Sequence, residues 1–125
     1  MRRQGRNHHT DCRWLTVDGT PRPVRVHRCD RFLSRLRGRL FTAAHGRDEV
    51  WLLQPCNAVH TLLMRGAIDV VFCDRDGRVL RICRNLAPWR IALCRRAHSV
   101  FEFAGGQAAR WQVTGHTQLQ CTARA

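Results

Sequence analysis

Along most of the chain, apolar residues alternate with polar ones or stand together in short runs bounded by turn-forming residues. Both patterns are typical of β-strands, in which successive side chains point to opposite faces of a sheet. Asp18-Gly19 and the run from Asp74 to Gly77 are hairpin signals, so we expect an antiparallel sheet. The pattern predicts strands at residues 12–17, 23–28, 49–53, 59–64, 68–73, 79–83, 91–94, 99–103 and 118–121.

One segment repeats its apolar residues at helical spacing. Asp30 offers an N-cap, and in residues 31–41 apolar side chains follow one face of a helix while arginines follow the other. An amphipathic helix is predicted there, with a further helical turn at residues 107–111. The predicted fold is mostly β, within the α+β class: a small antiparallel barrel-like sheet with one amphipathic helix covering an end or a face.

A chain of 125 residues suffices for one domain with its own core. We predict a disordered basic arm at residues 1–11 and a single globular domain over residues 12–125. No apolar run approaches the roughly 18 to 20 residues that a membrane helix needs. No secretory signal is visible after the basic start, so a cytoplasmic location is expected.

Arginine supplies all 22 basic residues, which against 9 acidic ones gives a formal net charge of +13. Nucleic-acid-binding proteins usually mix lysine with arginine, so the absence of lysine favours a coding bias combined with a need for solubility. A nucleic-acid-binding barrel that uses the basic arm and the arginine face of residues 31–41 is kept as a second alternative.

The polar residues that stand out among apolar neighbours lie within residues 55–79. A bend at Gly66 would bring Arg65 and Asp69 together, either as an ion pair that fixes the bend or as part of a cleft. In the second interpretation Arg65 binds a small anionic group, and neighbouring side chains supply hydrogen bonds. The predicted ligand-binding residues are His60, Thr61, Arg65 and Asp69.

The chain has seven cysteines, an odd number, without a CxxC pair or a zinc-finger spacing. Cys56 precedes His60 in the central segment, and Cys94 lies on another predicted strand, which together outline a thiol-dependent site. No hydrolase or metalloenzyme motif accompanies them. We therefore predict no metal and no cofactor. A Cys/His-dependent redox or hydrolytic enzyme with the thiol pair Cys56 and Cys94 is the first alternative.

A longer motif is specific in both its residues and its spacing. Its central part reads Pro55-Cys56-x-x-Val59-His60-Thr61-x-x-Met64-Arg65-x-x-Ile68-Asp69-Val70-Val71-Phe72-x-Asp74-x-Asp76-Gly77-x-Val79. Arg35-Leu36-Arg37-Gly38 precedes this part. Cys94, Ala97 and the run from Val100 to Gly105 follow it. The sequence resembles the "domain of unknown function 192" family, and within it the proteobacterial branch with a His-Thr-x-x-Met-Arg-x-x-Ile-Asp core. The resemblance covers about residues 31–119.

The resemblance implies a compact, mostly β fold with one helix, and no defined activity. Members of this branch often accompany genes for tight-adherence pili, which implies an accessory role near pilus assembly. Gly66-Ala67 and His116 depart from the family pattern. We interpret the protein as a non-enzymatic binding or accessory module with a small polar cleft, whose partner is a small anionic ligand or a protein.

Overall fold

The computed structural model describes residues 13–29, 48–62, 64 and 66–123. The predicted basic arm, the predicted helix at residues 31–41 and Arg65 lie outside the described residues. The described parts confirm a mostly β fold. Their elements are β1 (Arg13–Val17), β2 (Thr20–Cys29), β3 (Glu49–Leu53), β4 (Ala58–His60), β5 (Ile68–Cys73), β6 (Val79–Leu86), β7 (Ile91–Leu93), β8 (Ser99–Ala104), α1 (Gln107–Arg110) and β9 (Leu119–Thr122).

Seven strands form one sheet in the order β6–β5–β8–β3–β2–β1–β9, and β4 and β7 form a separate two-stranded ribbon. Neighbouring strands of the sheet are antiparallel, except that β2 and β3 are parallel. A parallel pair needs a crossover of about a dozen residues or more. The connection from residue 30 to residue 48 is long enough for one. The sheet is therefore mixed, whereas hairpin signals alone predict an antiparallel one.

Both predicted hairpins are present. Asp18 and Gly19 connect β1 to β2 with φ angles of 52° and 82°, the positive values that a two-residue hairpin turn needs. In the turn from β5 to β6, the Asp74 carboxylate accepts the N–H groups of Asp76 and Arg78, each at 2.9 Å. Local turn chemistry thus sets the pairing of these strands, as the sequence predicts.

The two edge strands of the sheet approach each other at one end without closing a barrel. Arg78, just before β6, and Gln118, just before β9, form an isolated antiparallel bridge. The N–H of Leu119 donates to the carbonyl oxygen of Gly77 at 2.8 Å. Gly77 has a φ of 86°, and a Cβ at this position would collide with the carbonyl oxygen of Leu119. Glycine is therefore required where the two edges meet.

Each face of the sheet carries an apolar cluster. All six residues of β5 are buried because its side chains alternate between the two clusters. Val71 and Cys73 pack in the cluster on one side of the sheet, and Ile68 and Val70 pack in the cluster on the other side. The ribbon covers this second side. No helix in the described parts of the chain has the length and apolar composition that crossing a membrane requires.

Candidate functional site

The ribbon turns one face to the sheet and the other to solvent. Val59 and Ala92 pair across its centre and are 8% and 6% exposed. Ile91 and Leu93, on either side of Ala92, are 70% and 49% exposed. Alternate residues of a strand point to opposite faces, so both larger side chains point away from the core. β7 thus buries an alanine and presents an isoleucine and a leucine to solvent.

Two more large apolar side chains are exposed where the strands of the ribbon end. Leu62 follows β4 and is 38% exposed, and Trp89 precedes β7 and is 57% exposed. Leu80 on β6 is the remaining large apolar residue exposed in the described chain. Clustered exposed apolar side chains mark interaction sites more often than scattered ones. We define the ribbon surface as Leu62, Trp89, Ile91 and Leu93.

Thr61 holds the segment that contains Trp89 in place through hydrogen bonds. Its side chain is fully buried, and its hydroxyl donates to the carbonyl oxygen of Ala87 at 2.7 Å and accepts the N–H of Arg90 at 2.8 Å. The backbone N–H of Thr61 donates to the carbonyl oxygen of Arg90 at 2.8 Å, and its carbonyl oxygen accepts the N–H of Trp89 at 2.9 Å. These bonds fix the backbone of residues 87–90 against the end of β4.

Trp89 has an unusual backbone conformation. Its φ of 65° lies in the left-handed region, which a bulky L-residue adopts at a cost of about 1–2 kcal/mol. More than half of its side chain is in solvent, so packing within the chain offsets little of that cost. Strained residues of this kind are concentrated at functional sites. The conformation makes Trp89 a candidate contact residue.

Two exposed arginines are anchored at the ribbon surface. Nη1 of Arg81 donates to the carbonyl oxygen of Leu93 at 2.6 Å, and Nη1 of Arg90 donates to the carbonyl oxygen of Trp89 at 3.3 Å. The ion pairs of the described chain involve neither arginine. These carbonyl bonds keep two positive groups beside the apolar side chains.

Carboxylates are absent from the ribbon segments themselves. Residues 54–64 and 86–98 contain no aspartate or glutamate, and the second segment also contains the exposed Arg95 and Arg96. The ribbon surface is therefore apolar with a positive border.

Asp69 lies on a different side of the sheet. It is 1% exposed, and its Oδ1 and Oδ2 accept the N–H groups of Asn85 at 2.8 Å and Ala108 at 3.0 Å. Its side chain points to the face of β5 opposite to Val70, which packs under the ribbon. The structure therefore places the sheet between Asp69 and Thr61 and does not bring them into one cleft.

The predicted ligand site is thus divided. His60 is half-buried on the ribbon, and its Nδ1 accepts the N–H of Leu62 at 3.3 Å. Arg65 lies outside the described residues, so its pairing with Asp69 stays a prediction. Thr61 and Asp69 use their side-chain oxygens on the chain's own backbone. Ligand binding by these four residues stays a prediction.

The predicted thiol pair lies at the base of the ribbon. The N–H of Cys94 donates to the carbonyl oxygen of Asn57 at 2.8 Å. Cys56 is 4% exposed, and its Sγ donates to the carbonyl oxygen of Ala58 at 3.2 Å. A buried thiol is poorly placed to attack a substrate from solvent. A thiol-dependent reaction at this pair stays a prediction.

Cys73 has a strongly shifted pKa. Burial raises the pKa of its thiol to about 12, and the negative charges of Asp74 and the Cys94 thiolate add to the effect. A raised pKa keeps the thiol protonated, whereas a reactive cysteine needs a lowered one. Among the described residues, no three histidine, cysteine or acidic side chains are grouped so as to hold a metal ion.

Comparison with known proteins assigns the chain to a family. The family model for domain of unknown function 192, described as "Uncharacterized ACR", matches residues 13–121. The chain belongs to this family. The match confirms the resemblance to this family, and membership of the proteobacterial branch stays a prediction. No curated protein matches the chain.

Two solved structures are similar to this domain of unknown function 192 protein. A protein of unknown function from Novosphingobium aromaticivorans DSM 12444 has a TM-score of 0.72 and 22% identity, over 86% of this chain and 83% of that one. A protein from Sinorhizobium meliloti 1021, provisionally described as a transcription regulator, has a TM-score of 0.73 and 19% identity, over 90% and 92%. At these identities, the likeness shows a common fold.

The exposed side chains of this domain of unknown function 192 protein were absent from the sequence prediction. Trp89, Ile91 and Leu93 occupy alternate positions, which is also the pattern of a strand that packs into a core. The sequence carries one local signal for the exposure of Trp89: Pro88 precedes it, and Arg90 separates it from Ile91. That signal indicates a loop with an exposed aromatic residue and does not specify which face of β7 is buried.

Replacing Thr61 with valine is expected to lower the free energy of unfolding by about 2 kcal/mol, because the isosteric side chain leaves a carbonyl oxygen and an N–H without their partner. Urea denaturation measures the change. Thr16→Val is the matched control, since that hydroxyl donates one longer bond, at 3.3 Å, to the carbonyl oxygen of Gln120. Equal losses in the two variants would contradict the role assigned to Thr61.

Proposed function

We propose that this protein is a non-enzymatic binding module that contacts a protein partner through the ribbon surface. The observation that supports the proposal is the gathering of four exposed large apolar side chains on one two-stranded unit and its ends. Burying such side chains against a partner contributes about 25 cal/mol for each Å² of apolar surface. Aromatic and arginine residues are also the types that most often dominate interface energies.

The polar residues support binding rather than catalysis. Thr61 and Asp69 are bonded to backbone groups of their own chain, and these bonds hold the Trp89 segment and its approach in place. Burial raises the pKa of Cys73 and keeps its thiol protonated. In this proposal, the residues that are chemically distinctive in the sequence support an interaction surface.

A nucleic-acid partner is the weaker proposal. Trp89 could stack on a base and the neighbouring arginines could contact phosphate, as in single-strand-binding proteins. However, Ile91 and Leu93 present aliphatic surface, which matches apolar side chains of a protein better than bases or phosphates. The accessory role near pilus assembly that the family resemblance implies is compatible with a protein partner.

Selection from a random-peptide phage library on the immobilised protein tests the proposal. The selected peptides are expected to bind the Ile91→Ser variant with an affinity lower by about tenfold or more, because Ile91 is the most exposed large apolar side chain. Leu80→Ser is the matched control, because Leu80 is also exposed but alternates with Arg81 on β6. Peptides that bind Ile91→Ser as well as they bind the parent protein would exclude the ribbon surface as the binding site.

Trp89→Gly separates binding from stability. Glycine adopts a positive φ readily, so this variant is expected to be as stable as the parent or more stable by up to about 1 kcal/mol. The same variant is expected to bind the selected peptides at least tenfold more weakly, since about that loss accompanies removal of a central interface tryptophan. Urea denaturation and fluorescence polarisation measure the two effects. A marked loss of stability would show that Trp89 serves packing.

A further inference from the structure

The chemistry of the partner can be deduced from the border of the ribbon surface. Resting on the proposed function, we infer that the partner is a protein segment in which apolar side chains alternate with, or are flanked by, aspartate or glutamate. The apolar side chains contact Ile91, Leu93 and Trp89, and the carboxylates pair with the guanidinium groups of Arg81 and Arg90.

Each of the two guanidinium groups is held by one hydrogen bond and has further N–H donors that can bind a carboxylate. Arg81 uses one N–H group on the carbonyl oxygen of Leu93, and Arg90 uses one on the carbonyl oxygen of Trp89. A guanidinium carries several further N–H donors in a planar fork that matches a carboxylate. Because each group is already anchored, little side-chain entropy is lost when a carboxylate binds. These arginines therefore provide fixed positions for acidic residues.

The two ribbon segments carry positive charge and no carboxylate of their own. Residues 54–64 and 86–98 contain no acidic residue, while Arg90, Arg95 and Arg96 are exposed there. Near the ribbon in sequence, Asp69 and Glu102 are 1% and 4% exposed, so neither is available to offset the charge at the surface. Carboxylates of a partner would complement the positive charge of these segments.

A second copy of the chain fits this surface poorly. Each copy carries a formal net charge of +13, and a symmetric contact would bring the arginines of both ribbon surfaces together. Like charges across an interface disfavour association. An acidic segment of another protein has both the apolar groups and the charge that this surface lacks.

The test uses the peptides selected from the random library, with binding to the 125-residue chain measured by fluorescence polarisation. Selected peptides are expected to be enriched in acidic residues together with apolar ones. Their affinity is expected to fall by about tenfold between roughly 0.05 M and 0.5 M sodium chloride, because exposed ion pairs are screened by salt. Neutral or basic selected peptides, or affinities independent of salt, would overturn the inference.

Charge reversal at the two anchored arginines supplies the residue-level test. The double variant Arg81→Glu and Arg90→Glu is expected to bind the acidic peptides at least tenfold more weakly, because two attractive pairs become repulsive. The matched control, Arg75→Glu with Arg78→Glu, changes net charge equally at two exposed positions in the turn between β5 and β6. An equal loss in both double variants would show that net charge alone acts, and would overturn the inference.

The outcomes separate this inference from the proposed function. Peptides that require Ile91 but are not acidic leave the ribbon surface as a binding site and reject the acidic partner. Peptides that bind the Ile91→Ser variant as tightly as the parent protein would contradict both the proposed function and the inference. A single-stranded oligonucleotide serves as the competing probe, and tighter binding of that probe with displacement of the peptides would identify nucleic acid as the occupant and overturn the inference.

Discussion

Replacing Asp69 with alanine is expected to lower the free energy of unfolding by about 3 kcal/mol or more. The carboxylate accepts the N–H groups of Asn85 and Ala108 while being 1% exposed. Hydrogen bonds to a charged group contribute roughly 1.5–3 kcal/mol each, and the buried N–H of Ala108, left without its partner, cannot turn to water. Reversible urea denaturation measures the loss.

The chain offers a close control for this effect. Asp74 also accepts two backbone N–H groups, those of Asp76 and Arg78, but in a turn that is partly open to solvent. Asp74→Ala is expected to lower stability by about 1 kcal/mol, because water can replace the lost acceptor. If the two variants lose similar amounts, burial is not what makes Asp69 important.

Asp69 also holds the start of the backbone segment that leads from the core to the ribbon surface. Asn85, which it holds with a φ of 51°, begins the stretch that leads to Trp89. The N–H of Gly105 donates to the carbonyl oxygen of Ala67 at 3.1 Å in the same region. Loss of the carboxylate is therefore expected to disturb the approach to the Trp89 segment as well as the packing of α1.

Stability is expected to fall by about 2 kcal/mol between pH 9 and pH 11 because of Cys73. Its pKa is raised from 9.0 to about 12 in the folded chain, so the folded state retains a proton that the unfolded state releases. The stabilising effect is complete below pH 9 and is lost as the pH rises towards 12, at roughly 1.4 kcal/mol for each pH unit. Urea denaturation with a thiol reductant present measures it.

The composition of the chain makes this measurement unusually direct. The chain has no tyrosine and no lysine, so thiols are the side chains that titrate in this range. Cys73→Ala is expected to be less stable at neutral pH but to lose little more stability on raising the pH. Cys83→Ala, which removes a partly exposed thiol on β6, should retain the decline. A decline that persists in Cys73→Ala would assign it to another group.

Local features of the fold were predictable from sequence, and non-local ones were not. The turn residues at Asp18-Gly19 and from Asp74 to Gly77 specify their hairpins because backbone conformation there depends on neighbouring atoms. The parallel pairing of β2 with β3 and the pairing of β4 with β7 join segments far apart in the chain. Alternation of apolar residues identifies strands without identifying their partners.

The candidate site shows the same division. Thr61 and Asp69 were singled out as polar residues among apolar neighbours, and both are buried in the structure. Their bonds are to backbone atoms, which every residue possesses, so no sequence pattern could reveal the partners. The exposure of Ile91 and Leu93 depends on which side of β7 the sheet occupies, and that is decided by the packing of Val59 and Ala92.

The meeting of the two sheet edges at the Arg78–Gln118 bridge bears on how the protein behaves when concentrated. An open sheet can recruit an edge strand from another molecule and grow into an aggregate. Here one end of both edges is already occupied, and β6 carries the exposed charges of Arg81 and Arg84 along the rest of its length. The molecule can therefore expose the apolar side chains of the ribbon surface while its sheet edges resist pairing with other copies of the chain.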